Sequence, residues 1–291
     1  MNSNVLNVLD LTPGMGGRAL AFCREGFHVE CLKDVDAENS SYCQRIVGPD
    51  GIIDKSILDV NETDLPDADI ISADVTFNTS SINKKSEYEL NTNSRISNII
   101  LKKYPIMFML RLPQTALKKS ASEFIDVAVL RRYFVQYKVF KEAEYSHLPI
   151  SGNQVYMIGI RSDIHETFYF KQPDYMISEQ AVYVEAPYAV DEWYRKIKIP
   201  YDCDTSLLNI ANSRYYIMQK NTIQESNIIY MHPYKQTYLL DEIGLRRFTH
   251  DEYGSMKGYP VGFFQPVSNK FKMYRKIYEA PNIYLQNLYG V

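Results

Sequence analysis

The chain is 291 residues long, 45% hydrophobic and carries a formal net charge of −3, which fits one large α/β domain with a smaller lobe and a substantial core. No apolar run reaches bilayer-spanning length and the N-terminus lacks the basic and apolar stretches of a signal peptide, so a cytoplasmic protein without a membrane partner is expected. The near-neutral balance excludes a global electrostatic drive toward nucleic acid; Lys84/Lys85, Lys102/Lys103, Lys118/Lys119, Arg131/Arg132 and Arg246/Arg247 are left as candidates for a local patch, against the plainer reading of scattered solvated charge.

Val5 to Asp10 is an apolar run ending in an acid, followed by the turn Thr12-Pro13-Gly14-Met15-Gly16-Gly17 and a helical stretch from Arg18 to Glu25. This predicts strand, tight loop and helix. A second strand, His28 to Lys33, ends at Asp34 and Asp36, and a later one, Ala68 to Ala73, runs into Asp74-Val75-Thr76-Phe77-Asn78. Further strands are predicted over Tyr104 to Leu112, Phe134 to Phe140 and Val155 to Ile160, with helices over Asn93 to Lys103 and Ala121 to Tyr133. Such alternation predicts a parallel, doubly wound sheet. The last two strands are joined without a helix through a loop holding Gly152-Asn153, so they are expected to pair antiparallel at or near one edge. From about Ser162 to about Leu239 the rhythm stops and Tyr, Pro, Asn and Asp dominate, with short strands over Tyr215 to Gln219 and Ile228 to Met231, which reads as a separate small lobe. Beyond it Thr249 fits an N-cap, with Glu252 at the reaching-back position of a capping box, and a last helix fits Tyr274 to Glu279.

A strand ending in an acid and opening into a glycine turn at a helix start lets backbone approach a ligand, with the helix N–H groups aimed at it. The next strand ends in Asp34 and Asp36, at about the spacing where a carboxylate accepts hydrogen bonds from a ribose diol. Together they predict a nucleoside site; the plainer alternative is that Gly16 and Gly17 only permit tight helix packing. Cys23, Cys31, Cys43 and Cys203 show neither CxxC spacing nor neighbouring histidines, so no metal is expected and the thiols are read as reduced and structural.

The run Asp10 to Gly17, followed by Ala21-Phe22 and Gly26-Phe27, resembles the first motif of cytosine-C5 DNA methyltransferases, whose similar loop wraps S-adenosylmethionine. The resemblance spans about Val5 to about Pro281, leaving the 162–239 lobe unmatched. It implies a Rossmann-like doubly wound methyltransferase fold with a catalytic-fold domain over 1–161, a small recognition-type lobe over 162–239 and a C-terminal segment, 240–291, packing back on the large domain. It also implies cofactor-binding roles for Asp10, Gly14, Gly16, Gly17 and Asp34. Later motifs keep their frames and lose reactive side chains. Lys55-Ser56-Ile57 has Ser56 where the family has an acid for the adenine amine, and the Pro-Cys of the fourth motif becomes Thr76-Phe77, so Phe77 holds the nucleophile position. In Met107 to Leu112 the glutamate that holds the flipped cytosine becomes Leu110 or Arg111, depending on a one-residue shift, and both arginines of the eighth motif are missing from Ile150 to Gln154. The ninth motif is well kept in Arg246-Arg247-Phe248-Thr249, Glu252 and Gly258-Tyr259-Pro260, while the tenth has Tyr278-Glu279 in place of Gly-Asn at the cofactor pocket.

The family's chemistry adds a thiolate to cytosine C6, which a phenylalanine cannot do. The expectation is therefore a catalytically inactive homologue with no catalytic residues and with weakened S-adenosylmethionine binding. It would act as a regulatory or DNA-binding subunit beside an active DNA methyltransferase chain on double-stranded DNA. The alternatives are a stand-alone nucleic-acid-binding protein and an active methyltransferase of altered chemistry.

Overall fold

The computed structural model describes residues 5–75, 87–113, 116, 120–145, 150–164, 192–195, 215–219, 231–232, 235–240, 242–264 and 269–283. The chain divides into two compact units, one of Met1–Phe140, Asn153–Lys171 and Gln286–Val291, the other of Lys141–Gly152 and Gln172–Leu285. Most of the segment 240–291 thus groups with residues of the 162–239 lobe.

The first unit alternates strands and helices in chain order: β1 (Asn7–Asp10), α1 (Gly17–Arg24), β2 (His28–Leu32), α2 (Ala37–Val47), β3 (Ile52–Ile53), β4 (Ile70–Asp74), α3 (Glu87–Lys103), β5 (Met107–Leu112), α4 (Val127–Leu130), β6 (Tyr133–Lys141) and β7 (Asn153–Arg161). The strands form one seven-stranded sheet in the order β3-β2-β1-β4-β5-β7-β6. The pairs β1–β2, β2–β3, β1–β4 and β4–β5 are parallel, and β7 runs antiparallel to β5. Backbone hydrogen bonds from Ser162 to Arg132 and from Glu142 to Gly152, both 2.9 Å, set β6 antiparallel to β7 at the edge as expected, although the connection does carry a one-turn helix, Glu142–Tyr145, too short for a parallel crossover. The strand order reverses between β1 and β4, which puts the topological switch point, where open α/β sheets generally take their ligands, at the carboxyl ends of those strands.

Strand alternation divides the chemistry between the two faces. Leu9, Ile71, Ala73, Phe108, Leu110, Leu112, Val155 and Met157 point into one apolar core. Asp10, Ser72, Asp74, Met109, Arg111 and Tyr156 point the other way. Gly159 lies opposite Phe108, whose ring takes the space a Cβ there would need, 2.2 Å away.

Local chemistry corrects several predicted boundaries. The single helix expected over Ala121 to Tyr133 is a 3₁₀ turn at Ala121–Glu123, closed by a Ser120–Glu123 capping box, followed by a separate α4. Asp126 starts that helix by accepting from the Ala128 N–H at 2.7 Å, and Tyr133 already belongs to β6. The strand expected from Tyr104 begins at Met107, because Tyr104 ends α3 in the left-handed region, at φ 48°, just before Pro105. Helix α2 and the two-residue β3 were not predicted.

The second unit contains α5 (Glu142–Tyr145), α6 (Glu192–Arg195), β8 (Tyr215–Gln219), β9 (Met231–His232), β10 (Lys235–Leu240), β11 (Leu245–Arg247), α7 (His250–Met256) and α8 (Lys270–Glu279). Strand β10 lies parallel to β8 and antiparallel to β9 and β11. Of the strand predicted at Ile228 to Met231, residues 228–230 lie outside the described residues and Met231 is the first residue of β9. Thr249 and Glu252 form the predicted capping box, and Glu252 also takes both Nη atoms of buried Arg246 at 2.8 and 2.9 Å. Buried Lys257 ties this unit together, donating to the carbonyls of Tyr278 and Ala280 at 2.8 and 3.1 Å and lying 3.4 Å from the Glu142 carboxylate.

Candidate functional site at the carboxyl ends of β1, β4 and β5

The turn after β1 gives its glycines different tasks. Gly16 caps α1 at φ 82°, and a Cβ there would sit 2.6 Å from Ile46 Cδ1 and 3.1 Å from Cys43 Cα, so its bareness lets α1 pack on α2. Gly17 is buried as the first residue of α1. Gly14, at φ 54°, has nothing within 4 Å of its missing Cβ among the described residues, so its backbone is open on that side.

Arg18 follows on α1 and is fully buried. Its Nη2 lies 2.7 Å from Asp10 Oδ1 and 2.5 Å from the Thr12 carbonyl, its Nε donates to Asp10 Oδ2 at 3.2 Å, and its Nη1 pairs with Asp74. Asp74, at the end of β4, is gripped in turn by Arg111 from the neighbouring position on β5, Nε to Oδ1 at 2.9 Å and Nη2 to Oδ2 at 2.7 Å. Two carboxylates and two guanidinium groups thus alternate in one chain across three strand ends. Burial pushes the Asp10 carboxyl above its usual range against the pull of Arg18. Burial acts the same way on Asp74, but there Arg111 and Arg18 outweigh it and hold the carboxyl below its usual range. Both arginines stay charged, since their carboxylate partners more than offset burial.

The predicted site residues therefore separate. Asp10 has no exposed surface, and its oxygens serve Arg18 and the Thr12 N–H. Asp34 is half-buried after β2; its Oδ1 accepts from the Asp36 N–H at 2.8 Å and from Asn39 Nδ2 at 3.2 Å, and its Oδ2 meets no hydrogen-bond donor among the described residues. Asp36 is the N-cap of α2, accepting from the Glu38 N–H at 3.0 Å. Ser56 donates its hydroxyl to Asp59 at 2.5 Å. Leu110 points into the apolar core and Arg111 toward Asp74, so neither candidate for the glutamate position presents an acid. Phe77, with Thr76 and Asn78, lies outside the described residues. Sequence reasoning missed Arg18 altogether; its one local signal is an arginine inside an otherwise apolar helix start after Gly16-Gly17.

The other candidates resolve individually. Arg246 is an internal ion, whereas Arg247 lies over the Trp193 ring at 5.2 Å. Lys103 pairs with Asp67, Arg131 and Arg132 are exposed, and Lys84/Lys85 and Lys118/Lys119 lie outside the described residues. Cys31 and Cys43 are buried free thiols and Cys23 is half-exposed, with Cys203 outside the described residues. Among the described residues no group of three or more His, Cys, Asp or Glu side chains is placed to hold a metal, and no helix is long and apolar enough to cross a membrane.

No protein-family model matches the chain. Over 294 aligned residues, covering 93% of this chain and 68% of the relative, it is 26% identical to the type II methyltransferase M.BsuFI of Bacillus subtilis. The chain is a homologue of a type II methyltransferase. Three solved structures share the homologue's architecture. The Entamoeba histolytica methyltransferase EhMeth superposes with a TM-score of 0.69 at 12% identity, covering 98% of this chain and 97% of that one. The S. pombe Dnmt2 methyltransferase gives 0.67 at 15% identity over 97% and 96%, and a mutant of Spodoptera frugiperda DNMT2 gives 0.68 at 14% over 97% of each. These likenesses establish a Rossmann-like methyltransferase fold for the homologue, with its sheet switch point at the Asp10–Arg18–Asp74–Arg111 cluster.

Proposed function

We propose that this methyltransferase homologue is a non-catalytic member of the cytosine-C5 DNA methyltransferase lineage, acting as a regulatory or DNA-binding subunit of an active DNA methyltransferase. The observation that carries the reading is the end of β5, where Leu110 faces the core and Arg111 is held bidentate by Asp74. Activation of a flipped cytosine needs an acid against the ring and a thiolate at C6. Here the acid's position supplies an apolar or a cationic side chain, and the nucleophile position in the sequence is Phe77. Retention of the full sheet suits a subunit that needs shape rather than a nucleophile.

S-adenosylmethionine fits only in part. Open backbone at Gly14 and the Oδ2 of Asp34 suit its nucleoside, and Gly16 and Gly17 shape the turn, while Ser56 brings no carboxylate to the adenine amine. When bound, the cofactor would supply an activated methyl group, and weak binding is the expectation.

The test is a tagged pull-down from the native host, read by mass spectrometry, beside a methyl-transfer assay of the purified chain with labelled cofactor. A stoichiometric methyltransferase with an intact Pro-Cys motif, together with no transfer by this chain alone, supports the reading. Transfer by the isolated chain overturns it. If nothing copurifies and no transfer occurs, the subunit role fails and a stand-alone nucleic-acid-binding protein takes its place.

A further inference from the structure

We propose that the outward face of α8, with Trp193 and Arg247 beside its first turn, is a nucleic-acid docking surface that takes phosphates on its cations and an unpaired or terminal base on Phe271. The proposal deepens the DNA-binding half of the reading above and rests on it. Helix α8 buries Met273 and Ile277 inward, and helical spacing then sets Phe271, Lys272 and Arg275 along the outer side, with half-buried Lys276 on the flank. Lys272 and Arg275 are exposed, and the helix's only acid, Glu279, pairs with Arg275 at 2.8 Å. In a chain of net charge −3 this is charge gathered in one place.

The aromatic half of the surface is braced from below. Phe271, 66% exposed, meets Trp193 edge to face at 5.1 Å, and the Trp193 ring is flanked by Arg247 at 5.2 Å and Lys270 at 5.3 Å. Beneath it, the Lys270 carbonyl can only accept from His250 Nε2, at 2.8 Å, so His250 Nδ1 accepts from the Tyr194 hydroxyl at 2.7 Å. A solvated phenylalanine packed on an aromatic cluster among cations matches the base-stacking and phosphate-holding pairing of single-strand and strand-end binders. Among the described residues of neighbouring elements, Asp251 is buried and accepts from the Gly262 N–H at 3.1 Å, and Glu192 on α6 is exposed.

The experiment is fluorescence anisotropy of the full chain with a labelled single strand and a blunt duplex of the same length, over a salt series. It compares wild type with Lys272→Glu/Arg275→Glu, with Phe271→Ala, and with Lys33→Glu/Lys55→Glu as an equal charge change in the other unit; all sites are exposed, and thermal melting checks that each variant is folded. The expected result is steeply salt-dependent wild-type binding, about tenfold or greater loss for the α8 reversal, and about fivefold or greater loss for Phe271→Ala on the single strand with less on the duplex. Equal loss from the control reversal, or no loss from the α8 variants, overturns the surface while leaving DNA binding in place. Absence of wild-type binding to either probe overturns both the surface and the DNA-binding half of the functional reading, and leaves the regulatory role to the pull-down. Salt-sensitive binding to phosphatidylserine vesicles, lost in the α8 reversal while both nucleic-acid probes stay unbound, overturns it in favour of a lipid surface.

Discussion

Arg18 is held in the interior by two carboxylates, so its removal strands charge rather than relieving crowding. Arg18→Met is expected to cost about 3–5 kcal/mol in urea unfolding because Asp10 loses its counter-ion while fully buried, and a second change, Asp10→Leu, is expected to recover part of that loss. His250 supplies a pH test. Burial lowers its pKa from 6.5 to about 4, so between those values the unfolded chain binds the proton that the folded chain refuses. Stability from neutral His250 is thus complete above pH 6.5 and lost as pH falls toward about 4. Wild type is expected to lose about 2 kcal/mol more than His250→Gln between pH 7 and pH 5, read from denaturation at each pH. At this scale Asp10 and Asp34 were legible as acids at strand ends, but which of them is fully engaged by protein groups was not. The answer for Asp10 depends on Arg18, and Arg18 in turn depends on Asp74, which is remote in sequence and brought alongside only by sheet pairing.

Elements meet where side chains are missing as well as where they are present. Gly16→Ala must adopt φ 82° and press a methyl group into Ile46 and the Cys43 backbone, so a loss of about 2–4 kcal/mol is expected, seen as a lower melting temperature. Thr249→Ala removes the side-chain half of the α7 capping box and is expected to cost about 1 kcal/mol in the same measurement. That cap could be read from Thr249 and Glu252 because its two partners are three residues apart. The break between Ser120 and Tyr133 could not, because Ser120 and Asp126 each start a short helix inside a stretch whose composition alone suits one long helix. Strand β3 escaped notice for a different reason, since two residues carry no periodicity.

For the whole molecule, strand and helix alternation made the doubly wound sheet readable, and the missing crossover before Val155 placed the reversed strand. The second unit had no such rhythm, and its parallel β8–β10 pairing follows from long-range contacts that spacing does not reveal. The proposed function predicts that Thr76→Pro/Phe77→Cys, which restores the family's dipeptide, transfers no label from S-adenosylmethionine, because Leu110 and Arg111 still provide no acid. Adding Arg111→Glu would set one carboxylate against another at Asp74 and leave Arg18 to serve three. Asp10, Arg18, Asp74 and Arg111 satisfy one another, so in any lineage that carries them the four are expected to drift as a block, each lone exchange being uphill. For evolution the cluster is a ratchet: placing an acid at the end of β5 would take several coordinated changes, and the first of them makes the protein less fit to fold.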